Sequence, residues 1–462
     1  MKKIQIVLLF SLAIITSCSN DPVFIEDPFV VAFKETSGKL LEIENERNIE
    51  LLYSETSYQE SSVNITITTE NALYGRDFVT IPEAVGNKLS LPISVNEIEN
   101  SFRIIELNNA FTDVMKITFS ITSIELDNAI IQGNITHELS DSAYLGGTFS
   151  PTIGGPNEPN QVYVDLSSNK ETFVARDSWD LGFYGGDDFR VVINGSLFMA
   201  TSPLATTDIN SVNSASVALL QSAIAVGTFN PDNEAYVDAP NGNILETAIN
   251  EVSEDDSLNS VYLVNLGAEI GTSQSNIGSA VIAGDARGWK KIRILRNGDG
   301  YRLQYADLDA ISYNEVEISK DVDFNATYFS FNTDAIVNVE PQKAQWDLCF
   351  TVFTNIITGA GSYGFSDFIT HNRKGSVTSY SLVDNSISYT DFSSLNVDDA
   401  LLEENQTVIG SSWRNVFTGT IIANTYYVLK DANNNYYKIR FLDLVNDSGE
   451  RGYPRFEYKL LQ

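Results

Sequence analysis

The sequence predicts a mainly β protein: an N-terminal β-sandwich followed by a larger all-β region with an internal pseudo-repeat. Three observations lead there. Short segments alternate apolar and polar residues with period two. Turn residues separate them. A Trp-Asp-Leu motif occurs twice, each time ahead of a second tryptophan and a hairpin pattern.

The chain opens with Met1-Lys2-Lys3 and an apolar run from Ile4 to Ile15. Twelve residues are too few for a membrane span, which needs roughly 20, but they suit the core of a signal peptide. Thr16-Ser17-Cys18 then places small residues before a cysteine. This pattern predicts a lipoprotein signal over residues 1–17, with Cys18 lipidated; the plainer reading is an ordinary secretory signal. Ser19, rather than Asp, points to the outer membrane. Residues 18–28, with two Asp-Pro pairs, read as a polar linker.

Residues 29–125 form the expected sandwich. Val63, Ile65 and Ile67 share one face, and Leu89–Val95 and Ile117–Thr122 alternate likewise. Asn71 to Pro82 contains Gly75, Asp77 and Phe78, and this stretch resembles the Calx-beta sandwiches. Some of those bind calcium. Only Asp77 maps onto the signature, far short of the six to eight oxygens calcium takes. A spacer or adhesion role is expected.

Beyond a Gly/Pro/Asn-rich stretch, Trp179-Asp-Leu-Gly-Phe183 recurs as Trp346-Asp-Leu-Cys-Phe350. Trp289 precedes one hairpin pattern, Lys291–Tyr305 about Asn297-Gly298; Trp413 precedes another, Tyr426–Phe441 about Asp431 to Asn435. The predicted units are 140–320 and 321–462. Asn213 to Val226 is the best helical candidate.

Formal net charge is −32, which argues against nucleic acid and anionic lipid as partners. Membrane attachment is expected through the lipid alone. With Cys18 lipidated, Cys349 has no disulfide partner and reads as buried and inert. Asp321-Val-Asp-Phe-Asn325 starts like a calcium loop but lacks its glycine and closing glutamate. No nucleophile elbow, phosphate loop or zinc-spaced histidine pair occurs, so an enzyme is not expected. Paired carboxylates of the glycosidase kind stay open.

The Trp-Asp-Leu segments, Tyr436-Tyr-Lys-Ile-Arg-Phe441 and the ending Gly449 to Tyr458 resemble the HmuY family, haem-binding surface lipoproteins of the Bacteroidetes that work beside TonB-dependent outer-membrane receptors. The match is best from 341 onward. The resemblance implies haem as ligand, held by His or Met side chains, one of them just after the Trp-Asp stretch. That position is Thr351 here, a poor ligand, and Tyr184 in the first copy; a phenolate can ligate ferric haem. The other candidates are His371, whose plain reading is a surface residue at a strand end, and Met199, whose plain reading is core. His137 reads as a solvated linker residue. For the propionates, Lys291 and Arg293 share a strand face within the one basic cluster; the plain reading is a solvated sheet face. The tryptophans read first as core. The rival to haem capture is a non-catalytic surface module for a glycan or protein partner.

Overall fold

The computed structural model describes residues 28–461, apart from 44, 113–114, 132–133, 141–144 and 386. The signal segment and Cys18 lie outside the described residues. Alternation becomes burial in the first domain. Val63, Ile65 and Ile67 on Ser61–Glu70, Leu89, Leu91 and Ile93 on Lys88–Ile93, and Ile117, Phe119 and Ile121 on Lys116–Ile124 all face one core. Each contributes roughly 1.5–3 kcal/mol by leaving water.

Two five-stranded sheets enclose that core. The domain runs past the expected end at 125. Ala129–Ile131 pairs in parallel with Phe29–Phe33, and Thr136–Ser140 pairs with both Lys116–Ile124 and Ser37–Gly38. His137 is therefore a sandwich residue, not a solvated linker residue. It is buried, with Nδ1 2.8 Å from the Glu35 carbonyl. Asp77 is spent on structure: its carboxylate meets Arg76 at 2.6 Å and accepts from the Leu73 amide at 2.8 Å.

The rest of the chain is two interlocked units. Each tryptophan motif leads into a central strand, Leu181–Tyr184 in one and Leu348–Ile357 in the other. A hairpin precedes each motif: Asn160–Asp165 with Lys170–Ala175, and Ala326–Ser330 with Ala335–Val337. The hairpins are exchanged. The first pairs with the second central strand, Val162 opposite Phe350, and the second with the first, Leu181 opposite Phe329. Gly146–Phe149 and Asn314–Ile318 follow suit, closing sheets built around Arg451–Leu461 and Gly300–Asp307.

Strand pairing thus crosses the expected boundary between 320 and 321. One unit is nearly continuous, from Trp179 to Val337. The other joins 146–175 to 346–461. The internal equivalence is also shifted by one strand from the hairpin pairing read in the sequence. In sheet order Trp289–Asn297 corresponds to Tyr436–Val445, so that Lys291-Ile-Arg293 matches Lys438-Ile-Arg440.

The helical candidate is present as Ser214–Gln221, shorter than the pattern suggested. Asn213 caps it by accepting from the Ser216 amide, with Ser216 returning the bond. Among the described residues no helix is long and apolar enough to cross a membrane.

Candidate functional site: a cavity between the interlocked units

The two motifs hold the exchanged hairpins by the same bonds. The Asp180 amide donates to the Phe329 carbonyl at 2.9 Å, and its carboxylate accepts from the Phe331 amide at 2.6 Å. The Asp347 amide donates to the Val164 carbonyl, and its carboxylate accepts from the Leu166 amide, both at 2.8 Å. Asn194 and Asn372 tie off the motifs by donating to the Trp179 and Trp346 carbonyls at 2.8 and 3.1 Å. Each tryptophan then meets a tyrosine of the exchanged hairpin edge to face: Trp179 with Tyr328 at 4.8 Å, Trp346 with Tyr163 at 5.0 Å. The core role expected of the tryptophans is only half of it, because these two also wall a cavity.

That cavity has a volume of about 170 Å³. It gathers three of the residues singled out in the sequence, Tyr184, Met199 and His371, together with Thr351. Their states differ. Met199 is fully buried among Leu181, Phe183 and Tyr301, as core. His371 is not at the surface; it is 1% exposed. Its Nε2 lies 3.2 Å from the Glu404 carbonyl, which can only accept, so the proton sits on Nε2. The Nδ1 lone pair then accepts from the Ser379 hydroxyl at 2.9 Å, and neither nitrogen is open to a metal. Thr351 is buried, with its hydroxyl donating to the Val352 carbonyl. Tyr184 alone of the ligand candidates is half-exposed. Burial, with Asp188 and Asp187 nearby, raises its pKa, so the phenol keeps its proton.

Lys291 and Arg293 are elsewhere and are occupied. The Lys291 ammonium is buried and donates to the Val212 and Ala310 carbonyls at 2.7 and 2.8 Å. Arg293 donates to the Asn259 and Asp256 carbonyls at 3.0 and 2.6 Å. Lys438, the counterpart of Lys291, likewise donates to the Tyr389 and Phe392 carbonyls. Loops folded over these sheet faces use the cations as internal staples, which removes both from propionate duty. Cys349 is buried with its thiol pKa pushed up by desolvation, as its apolar neighbours suggested.

Four charged residues that the sequence reading did not single out also line the cavity: Asp238, Glu340, Arg373 and Lys374. Burial raises Asp238 to about 6 and Glu340 to about 7, and lowers Lys374. Asp238 accepts from the Ile193 and Ala248 amides, and Glu340 from the Asn325 and Ala326 amides. Only Arg373 and Lys374 carried a signal, since they lie two and three residues after His371. Among the described residues no group of three His, Cys, Asp or Glu is placed to hold a metal.

The HmuY protein family model matches residues 157–314 and 323–458, together more than half of the chain and including both Trp-Asp-Leu motifs. The chain belongs to the HmuY family. No curated protein matches it. Among solved structures, a putative HmuY-like heme binding protein from Bacteroides vulgatus is 12% identical, with 68% of this chain and 91% of that one covered and a TM-score of 0.15. The apo HmuY analog of Tannerella forsythia is 10% identical, with 69% and 96% covered and a TM-score of 0.18. The Calx CBD1 domain is 16% identical, with 24% of this chain and 96% of that one covered and a TM-score of 0.21. Family membership rests on the matched residues of the HmuY model.

Burial of His371 has a consequence for stability. Desolvation holds its pKa near 4, below the ordinary 6.5, so it stays neutral in the fold while the unfolded chain gains a proton below 6.5. Its contribution is therefore full above 6.5 and is lost as pH falls toward 4, by about 3 kcal/mol. Urea denaturation of wild type and His371→Gln tests this. The gap between the two proteins is expected to be larger at neutral pH than near pH 4. An equal gap at both would mean that His371 has the same pKa in the fold as in the unfolded chain.

Proposed function

We propose that this chain is a non-enzymatic surface lipoprotein that binds haem or a related porphyrin and passes it to a TonB-dependent outer-membrane receptor. Cys18 is the proposed lipid anchor and the outer membrane the proposed site. The observation that carries the reading is membership of the HmuY family across both interlocked units.

The cavity does not fit an enclosed haem. At about 170 Å³ it falls below the roughly 300–1,000 Å³ of sites that swallow drug-sized ligands. The macrocycle would lie across the cavity mouth, where Tyr184, Asn243 and Arg373 are half-buried. Tyr184 is then the residue placed to meet ferric iron, which would displace the phenol proton on ligation, in preference to His371, whose nitrogens are both engaged. Burial of the flat apolar ring would supply affinity at roughly 25 cal/mol per Å².

Haemin titration into variants of the full chain tests this assignment. Tyr184→Phe is expected to weaken haemin binding by about tenfold or more, a loss of about 1.4 kcal/mol, and to abolish the ligation bands. Binding of metal-free porphyrin should survive. His371→Ala, checked for fold by circular dichroism, should leave the haemin spectrum unchanged. Loss of the spectrum in His371→Ala alone would reverse the assignment. The second reading, a non-catalytic module for another ligand such as a glycan or protein partner, is favoured by the small cavity and by Thr351 at the ligand position.

A further inference from the structure

The two units are built alike around the cavity, yet they differ at one polar group. In the first, the Trp179 indole N–H donates to the Gln161 side chain at 2.7 Å. In the second hairpin the position matching Gln161 is Ala326, and the buried Trp346 indole N–H has no acceptor. Beside it the Asn325 amide oxygen is buried without a donor, while its nitrogen donates to Asn372 at 2.9 Å. The Lys374 ammonium completes the set: among the described residues it has no hydrogen bond and no ion-pair partner, although Glu340 and Asp238 are near enough to act on it electrostatically. All three residues line the same cavity.

An unpaired buried polar group costs about 1–3 kcal/mol. The Trp346 N–H and the Asn325 oxygen are two such groups on one void, and the partly exposed Lys374 ammonium lines it with them; together they describe a site whose partner is absent from the chain. The two open donors, one of them cationic, call for an anionic acceptor. The carboxylates facing them already accept backbone amides, so a cationic ligand is the poorer match. Trp179, Trp346, Tyr163 and Tyr328 supply flat apolar walls. A void of about 150 Å³ is enough to take benzene, so 170 Å³ accommodates one ring with a small substituent.

We infer that the inter-unit cavity is a binding site for a planar, single-ring aromatic carboxylate, with its anionic group toward Lys374 and the Trp346 N–H. This holds independently of haem at the mouth. Benzoate is the probe, and benzamide its neutral counterpart. Isothermal titration of the full chain, with tryptophan fluorescence in parallel, should give saturable one-to-one binding of benzoate. Benzamide should bind at least about tenfold more weakly. Lys374→Met should remove that preference. Ala326→Gln gives Trp346 the acceptor that Trp179 already has; it should weaken benzoate by about tenfold while leaving the melting temperature unchanged or higher. Equal affinity for the two probes, no saturation at millimolar benzoate, or unaltered affinity in folded Ala326→Gln would each overturn the inference. Haemin titrated into the same preparations separates the two readings: haemin binding without benzoate binding removes this site alone, and the reverse removes haem alone.

Discussion

Replacing Asp367 by alanine is expected to destabilise the chain by about 3–5 kcal/mol, the cost of leaving buried charge without its partner. Its carboxylate is 1% exposed and takes the Arg451 guanidinium directly, with Arg414 at 3.7 Å. Its amide donates to Glu158 at 2.9 Å, and Glu158 is itself fully buried. Arg176, also fully buried, donates to the Glu158 and Ser196 carbonyls at 2.8 and 2.6 Å. Three guanidiniums and two carboxylates thus join the loop before the first hairpin, the strand Gly361–His371 and the start of Arg451–Leu461. Asp367 also has φ +46°, which alanine tolerates poorly. Asp367→Asn keeps an acceptor and tolerates that backbone, so it should lose clearly less. Urea denaturation with a shared m-value decides. A loss under about 1 kcal/mol in Asp367→Ala would mean that the cluster is solvated like an exposed pair.

Trp346→Ala should cost a similar amount, about 3–5 kcal/mol, by opening a void behind the exchanged hairpin. Part of that cost is specific to the exchange. Tyr163, the ring Trp346 meets, belongs to the hairpin that precedes the other motif. A double-mutant cycle of Trp346→Ala with Tyr163→Ala is expected to show a coupling of about 0.5–1.5 kcal/mol. Trp346→Ala paired with Tyr328→Ala should couple less, because Tyr328 meets Trp179. The reverse order would contradict the exchange.

Local pattern carried much of the fold into view. Period two placed Val63, Ile65 and Ile67 on the buried face, and the recurrence of Val217, Leu220 and Ile224 marked the helix that follows Asn213. Trp179 and Trp346 marked the repeat because a short identical motif survives in both copies. The exchange was not legible. Nothing in Asn160–Asp165 records that its partner lies almost two hundred residues away, since register between distant strands is settled by packing. The same limit hid the site. Lys291 and Lys438 alternate with apolar neighbours as solvent-facing lysines do, and only the distant carbonyls above them explain their burial. His371 sits at a strand end, yet the Glu404 segment covers it. Asp238 and Glu340 stand in no motif; they became neighbours through the interlock.

Equilibrium titration of haemin into the full wild-type chain, followed at the Soret band, tests the functional account most directly. The account predicts a saturable, red-shifted band with one haemin bound per chain. Absence of saturable binding at micromolar haemin, in both the oxidised and the reduced state, would contradict it and leave an HmuY-family fold that serves another ligand.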